Sequence, residues 1–136
     1  GPSSPTSVLC LRAAVAAAKA SSPGDVVRIA LRWLPGKRWP ASAAAAREHR
    51  VSVRLVAAGR AVASLDGRPV DWTRPTTGWR PGEVIDDRYA LVIPIDPDVG
   101  PIAVEATLYD EATLEPFVPL VRLADDLAAD AAGLAP

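Results

Sequence analysis

The sequence is poor in sulfur, imidazole and aromatic rings: methionine is absent, and cysteine, histidine and phenylalanine occur once each among 136 residues. A single cysteine excludes an internal disulfide bond and a cysteine-rich metal cage. A single histidine excludes most metal sites that are built from several imidazole ligands. The sequence also contains no apolar run of about 18 residues, so no segment of it is expected to span a membrane.

Charge of either sign is not in excess, because 15 Lys and Arg stand against 16 Asp and Glu, a formal net charge of −1. This balance argues against a nucleic-acid partner, or an anionic membrane, that is recognised through bulk charge. No phosphate-binding glycine loop, dinucleotide fingerprint or nucleophile elbow is present, and we predict no catalytic residue, no metal site and no cofactor. The chain is therefore not expected to be an enzyme, although a longer parent chain could be one.

What the chain does contain is enough apolar side chain, 49% of its residues, to form the core of one domain. Gly1-Pro2 resembles the remnant that a protease leaves after tag removal. We expect residues 1–7 to be this remnant and a disordered start, residues 8–123 a single domain, and residues 124–136 a tail.

Apolar and polar residues alternate in several short segments, a pattern typical of half-buried strands. In residues 25–34, one face carries Val27, Ile29, Leu31 and Trp33. Similar alternation runs through residues 50–56, 60–66, 88–95, 102–109 and 115–123, and turn signals separate these segments. The sequence thus predicts an all-β fold, an antiparallel immunoglobulin- or fibronectin-like sandwich of about seven strands. Further expectations are that Ile95 faces the core, that Glu105 and Thr107 face outward, and that Cys10 is buried.

Two segments are ambiguous. Residues 11–20 are rich in alanine, which favours a helix by intrinsic propensity, but the surrounding strands and turns favour a strand, which we expect. In residues 41–48, Ser42 is a candidate N-cap for a short helix of at most two turns.

The longest segment without strand character, residues 67–83, combines two tryptophans with arginine, aspartate and threonine. Long loops in small domains often carry function. One hypothesis is a sugar site, in which Trp72 and Trp79 stack on the sugar while Asp71, Arg74 and Arg80 bond its hydroxyls. The alternative hypothesis is a connection between two sheets, in which Trp79 closes one end of the core.

Other candidates have simpler structural interpretations. Lys37-Arg38-Trp39 suggests a cation–π pair or an arginine stem lying on the ring. His49 is expected to be solvated or to anchor a loop. The acidic pairs could bind Ca²⁺ through oxygen ligands, but none matches an EF-hand, and solvated turn carboxylates are the simpler interpretation. These pairs are Asp86-Asp87, Asp96/Asp98 and Asp110-Glu111.

A resemblance adds to this reading. Ser22-Pro23-Gly24-Asp25 before a strand that ends at Trp33 resembles the start of a known β-sandwich domain. Further matching positions are Pro75-Thr76, Trp79, Pro81-Gly82-Glu83-Val84, Asp87, Tyr89 and Leu108-Tyr109-Asp110. Together they are similar to a soluble domain at the C-terminus of bacterial multi-pass membrane glycosyltransferases of the protein-mannosyltransferase-like superfamily, and in related surface proteins.

The resemblance implies a non-catalytic, extracytoplasmic accessory module that belongs to a membrane enzyme using lipid-linked sugars. Its expected partners are a glycan or the membrane portion of a larger chain. The alternatives that remain open are a protein–protein interaction or spacer module without a sugar site, and a small Ca²⁺-stabilised domain.

Overall fold

Seven antiparallel strands organise the part of the chain that the structure, a computed structural model, describes: residues 8–17, 24–95 and 101–124. The strands are β1 (Leu9–Ala17), β2 (Val26–Pro35), β3 (His49–Ala57), β4 (Arg60–Gly67), β5 (Ile85–Val92), β6 (Ala103–Asp110) and β7 (Pro116–Ala124). The expectation of an all-β sandwich with about seven strands is confirmed.

The strands form a three-stranded sheet in the order β1-β2-β5 and a four-stranded sheet in the order β4-β3-β6-β7. In a constant-type immunoglobulin sandwich the fourth strand pairs with the fifth. Here β4 pairs with β3 instead, through a tight hairpin. The resulting strand order is that of a fibronectin-like sandwich. The connection from β4 to β5 must consequently cross from one sheet to the other.

The core lies between the two sheets because alternate residues of the central strands point inward. On β2 the four residues that alternate from Val27 to Trp33 are all buried, as their spacing predicts. On β3 and β6 the buried apolar residues are Val51, Val53, Leu55, Ala57, Val104, Ala106 and Leu108.

A chain of rings closes one end of this core. Trp79 lies between Trp33 and Trp39, with ring centroids 6.0 and 5.7 Å apart, and Trp39 contacts Phe117 edge-on at 6.0 Å. The ring of His49 packs on Phe117 at 5.3 Å. Trp39 is therefore a core residue, and the cation–π contacts of the described residues lie at Trp72 and not at its ring.

Residues 41–48 form turns and no helix, so the expected short helix is wrong. Ser42 does behave as a cap: its hydroxyl accepts the N–H of Ala45 at 3.1 Å, and its carbonyl accepts the N–H of Ala46 at 3.1 Å. The turn stops there because the chain must return to β3. His49, the first residue of that strand, is buried and not solvated.

Some of the remaining expectations are confirmed and others are wrong. The alanine-rich segment is a strand over Leu9–Ala17, as expected, because it pairs with β2 along its full length. Ile95 is almost fully exposed, since β5 ends at Val92, and Cys10 is only half-buried. Glu105 and Thr107 are on the outer face but are covered, because the side chain of Arg122 and the backbone of β7 bond to them.

Candidate functional site

The connection between β4 and β5 begins with a left-handed turn. Val70, Asp71 and Trp72 have φ angles of 53°, 51° and 67°. Such angles are costly for residues with a Cβ, above all for a β-branched one, and they persist only where surrounding contacts hold the backbone. Here the N–H of Trp72 bonds to the carbonyl of Arg68 at 3.1 Å, and the N–H of Thr73 bonds to that of Val70 at 3.0 Å.

A buried carboxylate on β5 holds this turn against the sandwich. Asp87 is 1% exposed and accepts the N–H of Val70 at 2.8 Å and the hydroxyl of Tyr89 at 2.7 Å, with a longer contact from Trp33 Nε1 at 3.4 Å. Burial raises the pKa of Asp87, although each of these bonds acts in the opposite direction. Burial, followed by the nearby charge of Asp87, also raises the pKa of Tyr89. The turn is thus tied directly to the core.

The turn presents the ring of Trp72, which is 49% exposed. The ring lies against the end of β4, where a Cβ built on Gly67 would be only 2.9 Å from Trp72 Nε1. Two guanidinium groups lie over the ring, with Arg50 Cζ at 4.9 Å and Arg68 Cζ at 5.7 Å from its centroid. These contacts fix the orientation of an exposed tryptophan.

One carboxylate holds both guanidinium groups. Glu111 Oε2 accepts from Nε of Arg50 and from Nε of Arg68, each at 2.9 Å, and its Oε1 accepts from Arg68 Nη2 at 2.9 Å. The hydrogen bonds from Arg68 and then Arg50 lower the pKa of Glu111 to about 2. The two charges over the ring therefore belong to a fixed ion network, which is anchored from the turn after β6.

Beside Trp72 lies a hollow of about 430 Å³, at the edge of β4. Its polar groups are carboxylates, guanidinium groups and a phenol, and its lining comprises Leu65, Asp66, Gly67, Arg68, Asp71, Trp72, Arg88 and Tyr89. Asp66 accepts the hydroxyl of Tyr109 at 2.9 Å, which extends the polar surface onto β6. This volume and mixture of donors, acceptors and an aromatic ring suit a small polar ligand.

The structure brings together only part of the predicted site. Asp71 and Trp72 border the hollow, but Trp79 is 4% exposed and donates its Nε1–H to the carbonyl of Arg74 at 3.0 Å. A buried ring cannot stack on a sugar, so the placement of both tryptophans in one site is wrong. The structure shows Trp79 closing the end of the core, as the alternative hypothesis has it.

The two predicted arginines of the connection also lie elsewhere. Arg74 pairs with Glu83 at 2.8 Å, and the backbone N–H of Arg80 bonds to the same carboxylate at 2.7 Å. The N–H of Arg80 and the guanidinium of Arg74 lower the pKa of Glu83. This cluster stabilises the connection and does not line the hollow.

The end of the connection is also anchored to the loop before β3. Thr76 is buried, and its hydroxyl accepts the N–H of His49 at 2.8 Å. Glu48 accepts the N–H of Thr76 and the hydroxyl of Thr77, both at 2.8 Å. His49 Nδ1 lies 2.7 Å from the carbonyl oxygen of Arg47, to which it must donate because that oxygen is only an acceptor. His49 thus anchors a loop, as one of the two expectations for it has it.

Sequence reasoning missed Arg50, Arg68 and Glu111, which hold the ring. Glu111 is 61 residues from Arg50 and 43 residues from Arg68 along the chain, and only the pairing of β3 with β4 and β6 brings the three together. One available signal was that Arg50 precedes Val51 in an alternating segment, which places it on the outer face of its strand.

Among the described residues, no cluster of three or more His, Cys, Asp or Glu is placed to hold a metal ion. Asp86 pairs with Arg32 at 3.0 Å, and Asp110 accepts the N–H groups of Ala112 and Thr113. Asp87 and Asp110 are buried, which corrects their interpretation as solvated turn carboxylates, while Asp96 and Asp98 lie outside the described residues.

The fold and the site together define a class, an all-β sandwich with a tryptophan-bordered hollow. No helix in the described ranges is long and apolar enough to cross a membrane. The chain matches no protein-family model, no curated protein and no solved structure. The resemblance to glycosyltransferase-associated domains therefore stays a prediction.

Proposed function

We propose that the chain is a non-catalytic accessory module that binds carbohydrate at the hollow beside Trp72. The observation that carries this proposal is the ring itself, half exposed and held by Arg50 and Arg68 at the edge of a polar hollow. A ring fixed in advance loses little conformational entropy when a ligand binds.

The chemistry of the hollow suits a sugar better than a purely apolar ligand. The apolar C–H face of a pyranose stacks on an aromatic ring, while its hydroxyls need both donors and acceptors. Asp71 and Asp66 offer carboxylate oxygens, and Arg88 offers guanidinium N–H groups. This mixed set fits a neutral polyhydroxyl ligand.

The resemblance described above supports the remainder of the proposal. It favours an extracytoplasmic location and an association with a membrane glycosyltransferase, either in the same chain or as its partner. In that setting the module would hold a glycan near the enzyme that transfers sugars.

A glycan array tests the proposal, with the unaltered chain compared with Trp72→Ala and Arg80→Gln. Arg80 is exposed on the same connection but lies outside the hollow, which makes it a matched control. We expect one sugar class to bind, a loss of at least about ten-fold for Trp72→Ala, and no change for Arg80→Gln. Absence of binding to every sugar, or equal binding by Trp72→Ala, would overturn the proposal.

A second candidate function, a protein-interaction module, is favoured by the outer face of the three-stranded sheet. The strand register places four arginines and one aspartate on this face, with alanines between them. These residues are Arg12, Arg28, Arg32, Arg88 and Asp86, with Ala14, Ala30 and Ala90. Since the whole chain is close to neutral, such a face fits a partner with an acidic surface. Arg28→Gln would weaken that binding without affecting a sugar at Trp72.

A further inference from the structure

A second hollow, of about 410 Å³, lies on the outer face of the four-stranded sheet, beyond the site at Trp72. It is bounded by outward residues of β3 and β6 on one side, and by β7 and the turn before it on the other. Its lining comprises Ser52, Arg54, Asp66, Thr107, Tyr109, Leu114, Pro116 and Leu120. The volume is within the range of small-molecule sites.

One cation in this hollow is not satisfied by the protein. Arg54 Nε is buried and has no hydrogen-bond partner within the described residues. The register places Arg54 opposite Glu105, but the carboxylate of Glu105 accepts instead from Arg122 Nη2 at 3.0 Å. A buried donor without an acceptor is costly in a native structure. Because no described carboxylate pairs with Arg54, the charge of its guanidinium group, which lines the hollow, remains available to an anion there.

The opposite wall of the hollow is apolar. Leu114 is 69% exposed, and Leu120 and Pro116 are also exposed. Leu114 is held there by backbone geometry, with a φ of 66° and its N–H bonded to the carbonyl of Asp110 at 2.8 Å. Because these three apolar residues line one hollow, they offer a continuous surface to an apolar group.

The turn that carries Leu114 is itself rigid. Asp110 Oδ1 accepts the N–H groups of Ala112 at 2.8 Å and Thr113 at 3.0 Å. The bond from Thr113, then that from Ala112, lowers the pKa of Asp110, so the carboxylate stays ionised and keeps both bonds. The wall is therefore formed before any ligand arrives.

We propose that this hollow binds an organic carboxylate with an apolar body. The positively charged guanidinium group of Arg54 would bind the carboxylate of the ligand, and the hydroxyl of Ser52 at the same end of the hollow could donate a second hydrogen bond to it. The apolar body lies against Leu114, Pro116 and Leu120. A sugar is not favoured here because its hydroxyls would face this apolar wall.

The site is separate from the one at Trp72, although both hollows share Asp66. Arg50, which supports the tryptophan ring, and Arg54 are four residues apart on β3, or about 13 Å. Loss of sugar binding at Trp72 would therefore leave this proposal unaffected, and the reverse also holds.

The test is an amide-resolved NMR titration of the unaltered chain with two pairs of probes. Hexanoate is compared with hexanamide, and N-acetyl-alanyl-leucine is compared with its C-terminal amide. The two pairs distinguish a free acyl carboxylate from the carboxylate of a peptide end. We expect at least one acid to shift the resonances of residues 52–54 and 114–120, and to bind at least ten-fold more tightly than its amide.

Two variants locate the charge. Arg54→Gln should bind acid and amide equally, whereas Arg60→Gln, an exposed arginine on the hairpin, should keep the preference for the acid. The comparison of acid with amide on the unaltered chain tests the proposal even if Arg54→Gln does not fold. The proposal is overturned if no probe shifts these resonances at about 10 mM, well above a millimolar Kd, or if each amide binds as tightly as its acid.

Discussion

Asp86 and Asp87 are neighbours in the sequence, but one is exposed and the other is buried. Asp86 forms a surface ion pair with Arg32, whereas Asp87 accepts hydrogen bonds from the turn and from two core side chains. Alternation along β5 produces this difference, because successive side chains point to opposite faces of the sheet. The residue that supports the candidate site is thus the one that faces away from solvent.

We predict that Asp87→Ala lowers the free energy of unfolding by about 3 kcal/mol, because it leaves the Val70 N–H and the Tyr89 hydroxyl without their acceptor. Asp87→Asn should cost less, since it keeps an acceptor and removes a charge whose burial is unfavourable. The matched control Asp86→Ala should cost less than about 1 kcal/mol. Urea denaturation measures all three, and equal losses for Asp86→Ala and Asp87→Ala would contradict the assignment.

Glu111 makes stability depend on pH. Its pKa falls from an ordinary value of 4.5 to about 2 in the folded protein. The stabilisation of the folded state by the ionised Glu111 is therefore complete above pH 4.5 and is lost as the carboxylate is protonated toward pH 2. Glu111→Gln should therefore be less stable at pH 7 and should show a flatter decline between pH 5 and 2 than the unaltered chain.

The urea midpoint, measured from pH 7 to pH 2, checks this prediction. Glu115→Gln removes an exposed carboxylate a few residues away and is the appropriate control, since its curve should follow that of the unaltered chain. A decline for Glu111→Gln as steep as that of the unaltered chain would show that the ion network is not responsible.

At the scale of elements, the hairpin between β3 and β4 depends on two residues with positive φ. Ala58 and Gly59 have φ angles of 51° and 76°, the combination of a type I′ turn, whose twist matches that of paired strands. This hairpin is what keeps β4 on the four-stranded sheet and sends the next connection across the sandwich.

Gly59→Ala should lower stability by about 1 kcal/mol through backbone strain alone, because a Cβ at this position meets no atom within 4 Å. Gly78→Ala provides a control, since its Cβ also meets open space and its φ is not positive. Thermal denaturation should show a lower Tm for Gly59→Ala and an unchanged or slightly higher Tm for Gly78→Ala. The reverse order would contradict the turn assignment.

Strands were predictable from the sequence where apolar and polar residues alternate strongly. They were less predictable where pairing with a neighbouring strand decides the structure. The spacing of Val27, Ile29, Leu31 and Trp33 is sufficient to predict a strand and its buried face. The alanine-rich β1 is a strand only because β2 offers it a complete edge. Residues 41–48 carry a genuine cap at Ser42, but a cap cannot extend a helix that the following strand interrupts.

At the scale of the whole molecule, the candidate site was only half predictable. Asp71 and Trp72 are adjacent in one loop, so composition pointed to them. The support from Arg50 and Glu111 depends on the register of distant strands, which no local pattern contains. The burial of Trp79 likewise follows from how two sheets meet and not from the residues around it.

The distribution of charge over the molecule gives a last prediction. Although the net charge is −1, the outer face of the three-stranded sheet carries four arginines and one aspartate. In about 0.1 M salt the screening length is about 10 Å, so a charged resin responds mainly to the face of the protein that lies against it. The chain should therefore be retained on a cation exchanger at pH 7.

The double variant Arg28→Gln/Arg88→Gln should elute at clearly lower salt than Arg60→Gln/Arg80→Gln, which loses the same charge away from this face. Equal elution of the two variants would show that the face does not act as a unit, and the case for an acidic partner would fall with it.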